Sequence, residues 1–172
     1  MISKRKKAHA YDRDGTIIGS HTDWAANHPR HIKMPYNQQL SQLALSLPQD
    51  EPIIIISNQG GIQWGYKSPT AVINEMRFLM RLLPIAAAYF CPDDGQSCYW
   101  CTRLDWGLVR DEDNYRKPGA GMARLAERHG YEILSYTGDL SGQADYANGR
   151  DSDRMFAAAA RVPYYDVRER IQ

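Results

Sequence analysis

Ile53-Ile54-Ile55-Ile56-Ser57-Asn58-Gln59-Gly60-Gly61 carries four β-branched apolar residues straight into a hydroxyl, two amides and two glycines. An apolar run without polar alternation fits a parallel strand covered on both faces, and its polar end predicts a strand that opens on a binding site. Ser57, Asn58 and the main-chain N–H groups near the glycines are candidates to hold phosphate oxygens.

Working outward from this run, strands and helices alternate. Upstream, Ala8 and Ala10 mark a short strand, and Leu40, Leu43, Ala44 and Leu47 are spaced for one helical face. Downstream, Ser68-Pro69 predicts a helix start for the stripe Val72, Ile73, Met76, Leu79, Met80 and Leu83. Residues 85–90 read as a strand, 120–129 as a helix, 133–137 as a strand and 151–161 as a helix that turns Met155, Phe156 and Ala159 inward, with 162–167 closing the sheet. The alternation predicts an α/β fold, a Rossmann-like doubly wound parallel sheet, as a single domain over residues 1–172. A chain of 172 residues that is 43% hydrophobic can bury one good core.

Composition excludes little else. The formal charge of +1 argues against a strongly electrostatic nucleic-acid binder, although it leaves room for a local basic groove. With no long apolar run and no signal-peptide pattern, no membrane association and a cytoplasmic location are expected. The basic residues 1–7 read as a solvated, partly disordered start.

Chemistry concentrates at strand ends. In Tyr11-Asp12-Arg13-Asp14-Gly15-Thr16, strand alternation lets Asp12 and Asp14 share one face, and Gly15 permits a sharp turn. Two close carboxylates repel each other, a divalent cation removes the repulsion, and an oxygen-only site suits magnesium. An ordinary Asp-Gly turn is the plain alternative. Gly138-Asp139 adds a third carboxylate at a strand end, and Arg116-Lys117-Pro118-Gly119 places an ammonium ahead of a helix. With charge on a phosphomonoester reduced by magnesium and Lys117, Asp12 can attack in line while Asp14 protonates the leaving alkoxide. Asp14 then activates the water that hydrolyses the acyl phosphate.

The order Asp-Arg-Asp-Gly-Thr, Ser-Asn-Gln-Gly-Gly-Ile, Arg-Lys-Pro-Gly-Ala-Gly-Met and Thr-Gly-Asp resembles the haloacid-dehalogenase superfamily of phosphatases. Within it the chain is similar to the branch that holds histidinol-phosphate phosphatases, heptose-bisphosphate phosphatases and the 3′-phosphatase domain of polynucleotide kinase. The resemblance spans roughly residues 8–167. It implies Asp12 as nucleophile, Asp14 as acid and base, Ser57 and Lys117 as phosphoryl ligands, and Asp12, the main-chain carbonyl of Asp14, and Asp139 as magnesium ligands.

Two segments break the rhythm. Residues 21–36 hold Trp24, His28, Arg30, His31 and Lys33 and read either as a cover for the site or as a surface loop pinned by Trp24. Residues 91–115 hold Cys91, Cys98 and Cys101, all the cysteines of the protein, within eleven positions. Such clustering in a cytosolic chain suggests zinc rather than a disulfide, with Asp93 or Asp94 as fourth ligand. The resemblance implies a zinc loop here, Cys91 matching its first ligand and Asp93 standing where a histidine would be. The alternative is three reduced cysteines. Tyr99, Trp100, Arg103, Trp106 and Arg110 interleave aromatic rings with cations, so Trp100 and Arg103 are candidates to stack on and track a nucleic acid, or else parts of a small core. Asp153 reads either as a neighbour of the metal ligands or as a favourable helix-start charge.

Three functions are weighed. The leading one is a magnesium-dependent phosphatase that removes a terminal 3′ phosphate from nucleic acid, as in DNA repair, because residues 138–142 and 149–157 resemble the polynucleotide enzyme. The second is a small-metabolite phosphatase acting on a sugar bisphosphate or histidinol phosphate, towards which the Asp-Arg-Asp start and the cysteines lean. The third is an inactive, zinc-stabilised binding protein. No kinase-type phosphate loop is present, and no protein partner is specified.

Overall fold

The isoleucine run forms a strand, Ile53–Asn58 (β2), whose four isoleucines are fully buried. They are buried because the sheet is covered on both sides. Ile53 and Ile55 pack with the helix Pro69–Leu82 (α1), whereas Ile54 and Ile56 pack with the helices Gly121–Arg128 (α2) and Ser152–Ala160 (α3). Burying each isoleucine is worth roughly 1.5–3 kcal/mol, so this strand is a major contributor to the core.

The computed structural model describes residues 4–18, 50–143 and 147–170. Its other strands are Lys6–Tyr11 (β1), Ile85–Cys91 (β3), Ser97–Cys101 (β4), Trp106–Arg110 (β5), Tyr131–Gly138 (β6) and Tyr164–Asp166 (β7). One sheet runs in the order β5-β4-β3-β2-β1-β6-β7. All pairings from β3 across to β7 are parallel, and β4 and β5 fold back antiparallel at one edge. The parallel strands therefore present their carboxyl ends along one rim, where a doubly wound sheet holds its ligands.

Several expectations are refined by this arrangement. Helix α1 begins as its sequence predicts, with the Ser68 hydroxyl accepting the Ala71 N–H at 3.1 Å and proline in the first turn. Lys6 and Lys7, read as a solvated start, belong to β1 and pair with Tyr131 and Glu132, since main-chain pairing does not require apolar side chains at a strand entrance. The last strand is shorter than 162–167, because the chain turns into a helix at Val167–Arg170 (α4). The segment 91–115 is less an insert than an extension of the sheet, since β4 and β5 both lie in it. The segment 21–36 and the helix with Leu40, Leu43, Ala44 and Leu47 lie outside the described residues. Among the described residues no helix is long and apolar enough to cross a membrane.

Candidate active site

Three strands deliver the polar groups. Asp12 follows β1, Ser57 and Asn58 end β2, and Asp139 follows β6. The Asp12 N–H donates to the Thr137 carbonyl at 2.9 Å, which ties the ends of β1 and β6 together and sets Asp12 beside Asp139. Asp153, from the first turn of α3, completes the group: carboxylate oxygens of Asp12, Asp139 and Asp153 lie within 4.8 Å of one another, and all three residues are buried. Two glycines make the crowding possible. A Cβ on Gly15, whose φ is +78°, would lie 2.3 Å from Asp139 Oδ2, and one on Gly138 would lie 2.4 Å from Asp153 Oδ2.

Lys117 is the buried counter-charge. Its Nζ donates to Asp12 Oδ1 at 2.9 Å, to Asp153 Oδ1 at 2.6 Å and to the Tyr136 hydroxyl at 2.6 Å, which uses all three of its N–H groups. Its main chain is fixed by Asn58, whose Oδ1 accepts the Lys117 N–H at 2.9 Å and whose Nδ2 donates to the Lys117 carbonyl at 3.1 Å. Asn58, read from sequence as a phosphate ligand, thus has both ends of its amide engaged in holding Lys117. The Tyr136 hydroxyl also lies 3.0 Å from Asp153 Oδ1, and Asp153 Oδ2 accepts the Leu140 N–H at 3.1 Å. Asp153 is therefore far more than a helix-start charge.

Among the described residues, carboxylates outnumber cations in this corner. Burial pushes the Asp12 carboxyl well above the ordinary carboxylate range, Lys117 opposes that, and Asp153, Asp139 and Asp14 push it further up. Burial disfavours the Lys117 ammonium, but Asp12 and Asp153 outweigh it and hold the lysine above its ordinary pKa. Asp12, Asp139 and Asp153 thus crowd their oxygens into one buried space, with Lys117 between Asp12 and Asp153. Such an all-oxygen set fits a hard divalent cation of the magnesium type.

Asp14 is bound to Arg13 and to the residue that follows β2. Gln59 Nε2 donates both to Asp14 Oδ2 at 2.7 Å and to Ser57 Oγ at 2.8 Å, so the second carboxylate and the hydroxyl at the end of β2 share one amide. Arg13 Nη2 reaches both Asp14 oxygens, at 3.0 and 3.1 Å. The roles of Arg13, Gln59 and Tyr136 were missed in the sequence. Arg13 and Gln59 lie inside the quoted motifs, and a charged residue between two aspartates was the available signal.

The cysteines do not assemble a zinc site. Side chains alternate along β4, so Cys98 packs on the α2 face with Cys91, while Cys101 packs on the α1 face with Phe90 and Met80. The fourth candidate, Asp93, is occupied: its carboxylate accepts the Gly95 N–H at 3.0 Å, the Ser97 N–H at 3.2 Å and the Ser97 hydroxyl, and Asp94 is exposed. Burial pushes the thiols up, to about 12 for Cys91 and about 11 for Cys101, with Cys98 also raised, so they stay protonated in their apolar surroundings.

Trp100 and Arg103 are likewise displaced from the expected role. β4 runs antiparallel to β3, so the chain moves away from the carboxyl rim as it passes Trp100, which pairs with Tyr89 in mid-sheet. The Trp100 ring meets His129, at the far end of α2, with centroids 5.1 Å apart. Arg103 Nη2 donates to the Met80 carbonyl in the last turns of α1 at 2.6 Å, beside Pro52 and Pro84 at the opposite rim.

Acidic groups packed against a buried lysine, on the carboxyl rim of a parallel sheet wound on both faces, fit a phosphatase of the haloacid-dehalogenase type. More narrowly, residues 7–169 match the family described as "Polynucleotide kinase 3 phosphatase", and the chain belongs to that family. Over 182 aligned residues, covering 99% of this chain and 88% of the relative, it is 24% identical to an uncharacterized 20.8 kDa protein of Autographa californica nuclear polyhedrosis virus. Two solved structures share the fold. A HAD-like phosphatase from Mesorhizobium loti superposes with a TM-score of 0.56 at 21% identity, over 92% of this chain and 70% of that one. The D,D-heptose 1.7-bisphosphate phosphatase of B. bronchiseptica, complexed with magnesium and phosphate, gives 0.55 at 20% identity, over 94% and 78%.

Proposed function

We propose that the protein is a magnesium-dependent phosphomonoesterase that removes a terminal 3′ phosphate from nucleic acid through an aspartyl-phosphate on Asp12, leaving the 3′ hydroxyl that end repair requires. The convergence of Asp12, Lys117, Asp139 and Asp153 in one buried pocket carries the chemistry, and membership of the polynucleotide 3′-phosphatase family carries the substrate class.

Magnesium, held by Asp12, Asp139 and the main-chain carbonyl of Asp14, would supply the positive charge that lets an anionic phosphate enter beside three carboxylates. Lys117 orients the Asp12 carboxylate and lowers its charge. Asp12 then forms an oxygen–phosphorus bond as the bond to the leaving oxygen breaks, and Asp14 gives that oxygen a proton. In the second half a water oxygen bonds to phosphorus, the bond to Asp12 breaks, and the water's proton passes to Asp14. Ser57, linked to Asp14 through Gln59, would hold a phosphoryl oxygen.

The test is phosphate release, with magnesium, from 3′-phosphorylated and 5′-phosphorylated oligonucleotides and a panel of sugar phosphates and histidinol phosphate. The 3′-phosphorylated end should be the best substrate by at least tenfold. Turnover of a sugar phosphate alone would overturn the substrate assignment and favour a metabolite phosphatase.

A further inference from the structure

We infer that Arg13 is a positioning residue that aims the carboxyl group of Asp14 at the leaving oxygen, an inference that rests on the phosphatase reading above. Arg13 is only 1% exposed although it is a cation, whereas the side chain of its neighbour Asp14 is 29% exposed. The buried guanidinium holds the accessible carboxylate from behind. Arg13 Nε and Nη2 donate to Asp14 Oδ1 at 3.2 and 3.0 Å, and Nη2 also reaches Oδ2 at 3.1 Å.

The grip is itself anchored at two points. Arg13 Nη1 donates to Glu75 Oε2 on α1, a carboxylate that Lys67 Nζ also meets at 3.1 Å. Arg13 Nη2 donates to Gln59 Oε1 at 2.9 Å, and the other end of the Gln59 amide closes the ring onto Asp14 and Ser57. An ion pair made only to hold the fold needs one carboxylate. Here one planar fork spans two carboxylates and an amide, an arrangement that fixes direction and that a lysine cannot reproduce.

The consequence is specific to the proton Asp14 moves. An alkoxide leaves poorly without a proton, and a 4-nitrophenolate leaves well without one, so misaiming Asp14 should matter in proportion to the basicity of the leaving group. The constant kcat/KM reports the first half-reaction, in which that proton is given. A purely structural role for Arg13 would lower kcat/KM equally for every leaving group.

The experiment measures kcat/KM with 4-nitrophenyl phosphate, phenyl phosphate and β-glycerophosphate for the unmodified protein, Arg13→Met, Arg13→Lys, Asp14→Asn and the double variant Arg13→Met/Asp14→Asn. Arg13→Met should fall about 100-fold on β-glycerophosphate and less than about threefold on 4-nitrophenyl phosphate. Arg13→Lys should show the same slope at smaller size, and it carries the test if Arg13→Met does not fold. In the double variant the Arg13 change should add almost nothing to the Asp14→Asn loss, since both act on one proton transfer. Equal losses across the three phosphates, no loss, or multiplying losses in the double variant would overturn the role of Arg13. If Asp14→Asn itself shows no dependence on leaving group, the acid assignment fails instead, so the two failures are distinguishable.

Discussion

The pocket of Asp12, Lys117, Asp139 and Asp153 and the hairpin that carries Cys91, Cys98 and Cys101 reverse the usual intuition about clustering. The cysteines are within eleven positions of one another, yet strand alternation sends Cys98 and Cys101 to opposite faces of the sheet. Asp12 and Lys117 are 105 positions apart and sit 2.9 Å from each other. Proximity in sequence along a strand separates side chains, whereas equivalent ends of parallel strands unite them. The dense motif is split by the sheet, and the dispersed one is gathered into the pocket to which we assign the chemistry.

The sharpest way to break this contrast is at its charged side. Asp12→Asn should keep the fold and lose phosphatase activity by about three orders of magnitude or more, because an amide is a poor nucleophile. Steady-state rates on 4-nitrophenyl phosphate check it, and retention of more than a few per cent would remove Asp12 as nucleophile. Lys117→Met should cost about 100-fold in kcat and destabilise the protein by about 3 kcal/mol, since Asp12 and Asp153 lose their shared cation. Magnesium should recover part of that stability in urea titrations.

What could be read in the sequence follows the same division. The four isoleucines announced a strand covered on both faces, and the glycines after Asp14 and before Asp139 announced tight strand ends, because local backbone rules fix both. Asp12, Asp14, Ser57, Lys117 and Asp139 were singled out because each closes a strand or opens a helix in a motif of recognisable order. The fold brings Asp12, Lys117 and Asp139 to one pocket and Asp14 and Ser57 to one amide. Tyr136 and Asp153 were illegible as partners of Lys117, since nothing local in β6 or α3 states which residue across the sheet they will meet. Asn58 was misread because its position beside Ser57 suggested phosphate, while the fold spends its amide on the Lys117 main chain. Trp100 and Arg103 were misread because composition shows aromatic rings and cations together without showing which rim of the sheet the antiparallel β4 carries them towards.

Smaller effects belong to the hairpin. Cys98→Ser should lower thermal stability by about 1–3 kcal/mol, by burying a hydroxyl in an apolar layer, and leave kcat within about twofold. Metal analysis should find no stoichiometric zinc in the unmodified protein, and one zinc per chain would contradict the split of the cysteines across the sheet. Alanine at Trp100 and Arg103 together should change kcat/KM on a 3′-phosphorylated oligonucleotide and on 4-nitrophenyl phosphate by the same small factor. A selective loss on the oligonucleotide would return that edge to the substrate path.

The smallest expected effect is on pH. Burial would raise the Asp93 carboxyl, but hydrogen bonds from the Ser97 hydroxyl and the Gly95 and Ser97 N–H groups outweigh it and hold its pKa below the ordinary value. Its folded pKa is depressed, so its contribution is fully present above the ordinary carboxylate pKa and is lost as pH falls through the lowered one. Denaturation at stepwise lower pH should show a slightly steeper loss for the unmodified protein than for Asp93→Asn, and parallel curves would contradict the capping role.

The most direct test of the central claim is to trap the phosphorylated protein. During turnover of 4-nitrophenyl phosphate with magnesium, acid-quenched Asp14→Asn protein, slowed in its second half-reaction, should carry one phosphoryl group on the peptide that contains Asp12. The same experiment with Asp12→Asn should show none. A phosphoryl group on any other residue, or none on the Asp14→Asn protein while it still releases nitrophenol, would contradict the assignment of this pocket as the site of covalent phosphoryl transfer.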